Sequence, residues 1–352
     1  MWAGLIRRGV TTLHKMSNIS SGQVLALGIG SAGARIVSAL SKETTLVDRF
    51  AYVTCDPSDV ESVEGEKVLI SGPIDQKLTP PMVRGLSIPY QRDIARLIGD
   101  AKVVFIVSGL GRATGSGLAP VVSQLASEGG ADTVSIAVMP FGFEEKLRFY
   151  AGLALKRLRQ TSRGVVLVDN DALLKTSSDA TIKDLYDLAN AEAVKALGSL
   201  LAKQSDSSIP VGLNKVLGTV IQEGYSFLTS ATSGSVDKTE EALARAIIGI
   251  SKRAETKEAN HAIVVLTGDS GVSAGDTATA VKRLGSMFGN QSIDVEYSLS
   301  YRGGSQLQVS VLASGFKGTR YDDYDPLASL RSIDESMEYA LPSGLEVLEL
   351  CG

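Results

Sequence analysis

Nine residues, Gly109-Leu-Gly-Arg-Ala-Thr-Gly-Ser-Gly117, constrain this chain more than any other stretch. They follow the apolar run Val103-Val-Phe-Ile-Val-Ser108, which has the length and composition of a strand buried on both faces of a parallel sheet. They precede Leu118-Ala-Pro-Val-Val-Ser-Gln-Leu-Ala126, whose apolar residues fall at helical spacing. Four glycines in nine positions let the backbone turn tightly and aim several N–H groups at one point. A strand, a Gly-rich loop and a helix N-terminus, in that order, form an anion site, because unpaired amides and the helix dipole both favour negative charge.

The flanking sequence extends this pattern. Strands are expected at 23–27, 50–54, 68–70, 133–139 and 164–168, with helices at 34–40, 91–98 and about 144–159. The Pro- and Gly-rich stretch 72–89 reads as loop. Strands alternating with helices give an α/β fold with a Rossmann-like, doubly wound parallel sheet. An apolar stripe of Ile182, Leu185, Leu188, Ala189, Leu197, Leu200 and Leu201 predicts a long central helix over about 178–203. Beyond it, helices at 240–248 and 277–288 and a strand at 261–266 indicate a smaller α+β domain. Two alternating strands at 295–301 and 307–313 read as a pair across Gly303-Gly304. The expected organisation is a leader over 1–22, a nucleotide-binding domain over 23–175, a spine helix over 176–203, a C-terminal domain over 204–317 and an acidic flexible tail over 318–352.

Composition removes several function classes. A net charge of -4 gives no basic field for nucleic acid, and 5% aromatics supply few base-stacking platforms. Cys55 and Cys351 are too few for a disulfide framework or a zinc cluster, which fits a reducing cytoplasm. No apolar run reaches the roughly 18 residues of a membrane span. The first residues carry Arg7, Arg8 and Lys15 beside Trp2, Leu5, Ile6 and Leu13, a weak interfacial-helix pattern interrupted by Gly4 and Gly9. The favoured reading is a disordered leader or an overlong start, with Met16 as initiator. His14 and His261 show no metal or triad spacing, and Glu240-Glu241 reads as a helix N-terminal charge pair.

A second Gly-rich loop, Gly28-Ile-Gly-Ser-Ala-Gly33, also sits between strand and helix. Alone, GxGxxG suggests a dinucleotide fold, which wants an acid roughly 20 residues on. Asp56 is a loose match to that, and a dinucleotide site does not need the loop at 109–117. Two phosphate loops on neighbouring strands suit a mononucleotide polyphosphate better, and neither loop contains GxxxxGK[ST].

With both loops placed, the chain resembles the FtsZ/tubulin superfamily, FtsZ more than tubulin. Gly109–Gly117 falls where the family carries GGGTGTG, Pro140-Phe-Gly-Phe-Glu-Glu-Lys-Leu-Arg148 resembles its ribose segment, Asp169-Asn-Asp-Ala-Leu-Leu174 its PND-x-LL turn, and Val309-Ser-Val-Leu-Ala-Ser-Gly-Phe316 its last strand. The resemblance spans about 23–317. It implies GTP or GDP held by the backbone of Gly28, Gly30, Ser31, Ala32, Gly33 and Ala34 and of Gly109, Gly111, Arg112, Ala113, Thr114, Gly115, Ser116 and Gly117. Asp56 would close the phosphate end through a cation such as Mg2+. Glu144 and Arg148 would contact ribose, or pair with each other on the surface if the site is dead. Asn170 would reach base or sugar, and Tyr186 would stack on the base with Asn190 one turn on.

The resemblance also implies head-to-tail self-assembly into protofilaments in cell division or membrane constriction, in the cytoplasm at the division site on the inner face of the membrane. The tail end Leu341-Pro-Ser-Gly-Leu-Glu-Val-Leu-Glu-Leu350 would recruit a membrane anchor of the SepF type.

Departures from the family pattern are specific. Arg112 and Ala113 replace glycines of the signature, and Ala34 and Arg35 stand where Gly and Asn are usual. The family's γ-phosphate Gly-Ala-Gly is not recognisable in 72–89, and Ala191 stands where an Asp usually meets guanine. The family's catalytic acids are missing from 207–222, which contains no Asp or Glu. Asn214 and Lys215 are the weak candidates left there. Asn214 cannot act as a base, and Lys215 would offer the neighbour's phosphates a fixed positive charge. A lost positioning carboxylate commonly costs on the order of 10²–10⁴ in rate, so binding with slow or absent hydrolysis is expected. The alternatives are an active GTPase whose water is positioned by Asn214 or Glu223, and a nicotinamide-dependent enzyme using Gly28–Gly33.

Overall fold

The computed structural model describes residues 23–72, 77–171, 181–201, 207–209, 211–234, 238–268, 272–301 and 306–324. The expected leader, the turn at Gly303-Gly304 and the docking peptide at 341–350 lie outside the described residues.

The core strands form because long apolar runs bury both faces at once. Strands β1 (Val24–Ile29), β4 (Val103–Gly109), β5 (Asp132–Met139) and β6 (Gly164–Asp169) are buried along almost every residue. With β2 (Arg49–Thr54) and β3 (Glu66–Leu69) they make the parallel order β3-β2-β1-β4-β5-β6. Helices cover both faces: α1 (Gly30–Leu40), α2 (Pro80–Leu86), α3 (Gln91–Ile98), α4 (Ala113–Glu128) and α5 (Glu145–Thr161).

The sheet continues into the second half of the chain. Strands β7 (Ser207–Ile209), β8 (Tyr225–Ser233), β9 (His261–Gly268), β10 (Asp294–Tyr301) and β11 (Leu307–Phe316) extend it in the order β6-β8-β11-β9-β10-β7. The junction is narrow, for β6 meets β8 through Val166↔Ser226 and Leu167↔Phe227 alone. Behind it runs α6 (Ile182–Leu200), started by a capping box between Thr181 and Asp184. Its residues Ala193, Val194, Ala196, Leu197 and Leu200 share one buried cluster with Phe105 and Ile136 of the first half and Leu228, Ile263 and Leu312 of the second. Helices α7 (Leu213–Val220), α8 (Lys238–Ser251) and α9 (Ala274–Phe288) complete the layers.

Four expectations are corrected. Strands β10 and β11 are not a hairpin. The largely apolar β9 lies between them, parallel to β10 and antiparallel to β11, and is buried from Ala262 to Gly268. Within the stretch read as loop, Thr79 precedes α2, whose Pro residues sit where a helix start tolerates them. Helices α1 and α4 begin inside the Gly-rich segments rather than after them. The packed body continues past residue 317: Tyr321 and Tyr324 are buried, and a 3₁₀ turn spans Asp322–Tyr324. Tyr321 lies 6.3 Å from Phe227.

Candidate functional site at the carboxyl ends of the strands

Strands β1 and β4 are parallel neighbours, so the loops that leave their carboxyl ends emerge side by side. Thr114 packs against Gly30, and Ala32 against Gly109. Two glycines are demanded by close approach. A Cβ on Gly33 would lie 2.2 Å from Val107 O, and one on Gly115 would lie 2.0 Å from Gly109 O. Neither α1 nor α4 has a side-chain N-cap or an acid in its first turn. The first-turn amides of both helices, at Gly30, Ser31 and Ala32 and at Ala113, Thr114 and Gly115, therefore have no helical acceptor, and the two helix starts lie against each other at Gly30 and Thr114. Among the expected cradle amides, Gly111 N donates to Ser116 Oγ at 2.7 Å and Ser116 N to Arg112 O at 3.1 Å, and between Gly109 and Gly111 Leu110 N donates to Val138 O at 2.9 Å.

Beyond these loops lies a carboxylate pair at the end of β2. Asp56 caps the 3₁₀ turn Pro57–Val60, accepting from Ser58 N at 2.9 Å and Ser58 Oγ at 2.8 Å, and is exposed. Asp59, which the sequence reading passed over, accepts from Thr54 Oγ1 at 2.6 Å and is also hydrogen-bonded by Ser31 of the first loop. Burial pushes its carboxyl above the ordinary range. Cys55 neighbours Thr114, and burial pushes its thiol up. The Asp56-Pro-Ser-Asp59 spacing was the available signal, since a turn started by Asp-Pro returns the fourth residue toward the strand end.

The other end is aromatic. Tyr186, on α6, meets Phe141 edge-on at 5.2 Å, and Phe143 stacks on Phe141 at 5.4 Å. The Tyr186 hydroxyl donates to both oxygens of Glu144 at 2.6 Å, and Phe141 N donates to Glu144 Oε2 at 3.1 Å. Burial and this carboxylate push the Tyr186 hydroxyl up to about 12. Arg112 reaches across from the second loop, its guanidinium carbon 5.5 Å from the Tyr186 ring centre. One residue along α6, Asp187 accepts from Arg35 of α1 at 2.8 Å. The second loop and α1 are thus each tied to the first half of α6 by an arginine.

Glu144 and Arg148 do not pair with each other. Arg148 lies over the Tyr324 ring at 4.3 Å and donates to Gly142 O at 3.4 Å. Asn170 is buried at the end of β6, and its Oδ1 has no hydrogen-bond partner. Beside it, Asp171 accepts from Gly142 N at 2.8 Å, and Arg253 bridges Asp169 (2.9 Å) and Asp171. Burial opposes the charge on Arg253. The two aspartates more than offset it, holding its pKa above the ordinary value. Asn190 falls one helical turn after Tyr186, on the same side of α6.

Asn214 and Lys215 are separate from this site. Both are exposed in the first turn of α7, and Lys215 Nζ pairs with Glu296 of β10. The window 207–222 is acid-free in sequence, yet the fold brings it a carboxylate from β10. Glu223 follows the far end of α7 from Asn214, so the two do not share a position. Among the described residues no group of three His, Cys, Asp or Glu is placed to hold a metal ion, and no helix is long and apolar enough to cross a membrane.

Residues 88–178 match the model of the Tubulin/FtsZ family, GTPase domain. The chain is 26% identical over 265 residues to cell division protein FtsZ 1 of Pyrococcus horikoshii, covering 73% of this chain and 71% of that one. Among solved structures, the empty FtsZ dimer of M. jannaschii superposes with a TM-score of 0.74 at 21% identity, over 88% of this chain and 92% of that one. CetZ2 of Haloferax volcanii, solved as a GTPγS-bound protofilament, gives 0.69 at 22% identity, over 89% and 99%.

Proposed function

Because the chain is a divergent FtsZ-like member of the tubulin/FtsZ superfamily, we propose that it binds GTP or GDP between the β1 and β4 loops and assembles head to tail into protofilaments, with slow or absent hydrolysis. The observation that carries this reading is the adjacency of two uncapped helix N-termini, both free of first-turn acids, at neighbouring strand ends. Phosphates would meet the free amides of Gly30, Ser31, Ala32, Ala113, Thr114 and Gly115, and Arg112 would add charge. Mg2+ would arrive on the phosphates, since it is usually held by one or two carboxylates plus substrate oxygens. Asp56 and Asp59 would be the carboxylates that hold it.

Slow hydrolysis follows from the opposite face. A neighbour in a head-to-tail filament would present α7, where Lys215 is already neutralised by Glu296 and Asn214 is not a base. The end of the tail would engage a SepF-type anchor, placing filaments at the division site on the inner face of the membrane. Three measurements on the full chain test the reading: nucleotide released on denaturation, sedimentation with GTP, and phosphate release at polymerising concentration. Guanine nucleotide in the purified protein, GTP-dependent pelleting and little phosphate are expected. Turnover typical of an active FtsZ, abolished by Gly115→Trp, would overturn slow hydrolysis. Absence of both nucleotide and pelleting would overturn the proposal.

A further inference from the structure

We infer that the acidic stretch Ile333–Leu341, which follows Tyr324 in the sequence, docks on the outward face of α5 in the same molecule. Three observations meet there: the charge of that face, the aromatic pair set in it, and the place where the chain leaves the packed body. None of them depends on the nucleotide reading.

The face is basic in a chain whose net charge is -4. Helix α5 carries Lys146, Arg148, Lys156, Arg157 and Arg159 against one acid, Glu145. Its inner side, with Ala151, Ala154, Leu155 and Leu158, is buried. Lys146, Tyr150, Leu153 and Arg157 recur at helical spacing on the opposite side. Lys146 and Arg157 are exposed, and among the described residues neither is in an ion pair. Phe149, 37% exposed, lies beside this stripe with its ring centre 5.2 Å from that of Tyr150. Uncompensated cations around exposed rings suit a segment that carries both acids and apolar side chains.

The fold delivers such a segment to this face. Arg159 lies over the Tyr225 ring at 4.5 Å, and the Tyr225 hydroxyl donates to Asp322 at 2.9 Å. Two residues on, the Tyr324 ring meets Arg148 at 4.3 Å. The chain therefore runs along the flank of α5 from Arg159 toward its N-terminal half and leaves beside Arg148. Residues 325–352 hold six acids and one arginine. Within them, Ile333-Asp-Glu-Ser-Met-Glu-Tyr-Ala-Leu341 interleaves three acids with Ile333, Met337, Tyr339 and Leu341. The eight residues 325–332 can span at most about 26–29 Å. Helix α5, with 17 residues, is about 25 Å long, so its whole outer face is within reach. Exposed ion pairs bind weakly, but a short tether supplies an effective concentration on the order of millimolar. An anionic lipid surface would suit the same cations. Asp322, Asp323 and Asp325 stand at the edge of this face, however, and would oppose its approach.

A nitroxide at Ser336→Cys in the full chain, with Cys55→Ser and Cys351→Ser, tests this through its electron paramagnetic resonance lineshape. At low salt about half of the spins are expected to be immobilised, because tether and affinity are of similar order. That fraction should fall at least about threefold in 0.5 M NaCl, where charges are screened within roughly 4 Å. Lys146→Glu with Arg157→Glu should abolish the immobilised component. Adding Asp334→Lys and Glu335→Lys to that pair should restore it, which a mere distortion of α5 would not allow. A single fast-motion line in the parent, or no response to charge reversal, overturns the inference. An immobilised fraction that rises with protein concentration from about 1 to 100 µM assigns the face to the tail of a second copy, and overturns it too. So does a fast-motion line together with pelleting on phosphatidylglycerol vesicles that Lys146→Glu and Arg157→Glu abolish, since the occupant would then be lipid.

Discussion

Replacing Arg253 by Met tests whether the segment around Tyr321 and the candidate site form one electrostatic unit. The Arg253 side chain is 17% exposed, and its partners Asp169 and Asp171 are 5% and 16% exposed. Removing the guanidinium leaves two carboxylates of low exposure without their cation, and Tyr321 loses the cation 5.5 Å from its ring centre. Breaking a buried pair from one side costs about 3–5 kcal/mol, most of it the cost of the stranded charge. With a urea m-value of roughly 3 kcal/mol/M for a domain of this size, the midpoint should fall by about 1–1.7 M. Equilibrium urea unfolding followed by circular dichroism reads this directly. The cause is isolated by Arg253→Met combined with Asp169→Asn and Asp171→Asn, which removes the stranded charge and should recover more than half of the loss. A shift below about 0.3 M for Arg253→Met, or no recovery in the triple variant, would refute the electrostatic account.

Three further outcomes are expected. Gly33→Ala forces a Cβ into Val107 O, so α1 must lift from β4; stability should fall by about 1–3 kcal/mol in thermal melts, and a neutral result would show that the helix start shifts freely. The raised pKa of Asp59 means that its contribution to stability is full below the ordinary value of 3.8 and is lost as pH rises through the folded value. Asp59→Asn should therefore gain in melting temperature over the parent as pH is raised from about 4 to 8, and a gap that narrows with rising pH would contradict this. Lys215→Ala should change stability by less than about 1 kcal/mol, since its pair with Glu296 is exposed on both sides, and a larger loss in urea unfolding would mean that this pair anchors α7.

Much of the fold was legible because burial on both faces writes long apolar runs into β1, β4, β5, β6 and β9. The helix starts were read late because glycine is a poor helix former. At Gly33 and Gly115 it is present to let backbones touch, a requirement set by the neighbouring strand and loop and invisible to local propensity. The false hairpin has the same origin, for only the whole sheet decides that β9 enters between β10 and β11. Tyr321 and Tyr324 were the aromatic residues in an otherwise acidic stretch, a signal outweighed by the charge around them. At the site, the two glycine loops were readable, and their family resemblance led to Tyr186, Glu144 and Asn170. The Tyr186–Glu144 hydrogen bond, the Arg35–Asp187 pair and the diversion of Arg148 to Tyr324 join residues far apart in sequence, and no periodicity encodes them.

The narrow junction between β6 and β8 has a mechanical consequence. Across β1 and β4 six residue pairs resist bending, whereas two pairs carry the sheet from one half to the other. Torque applied between the strand-end loops and the α7 face would concentrate there, with α6 as the torsion bar behind it. Substitutions in the Ala193–Leu200 stretch would change the molecule's stiffness more than its shape, and an assembly built from this chain would inherit that compliance at every repeat.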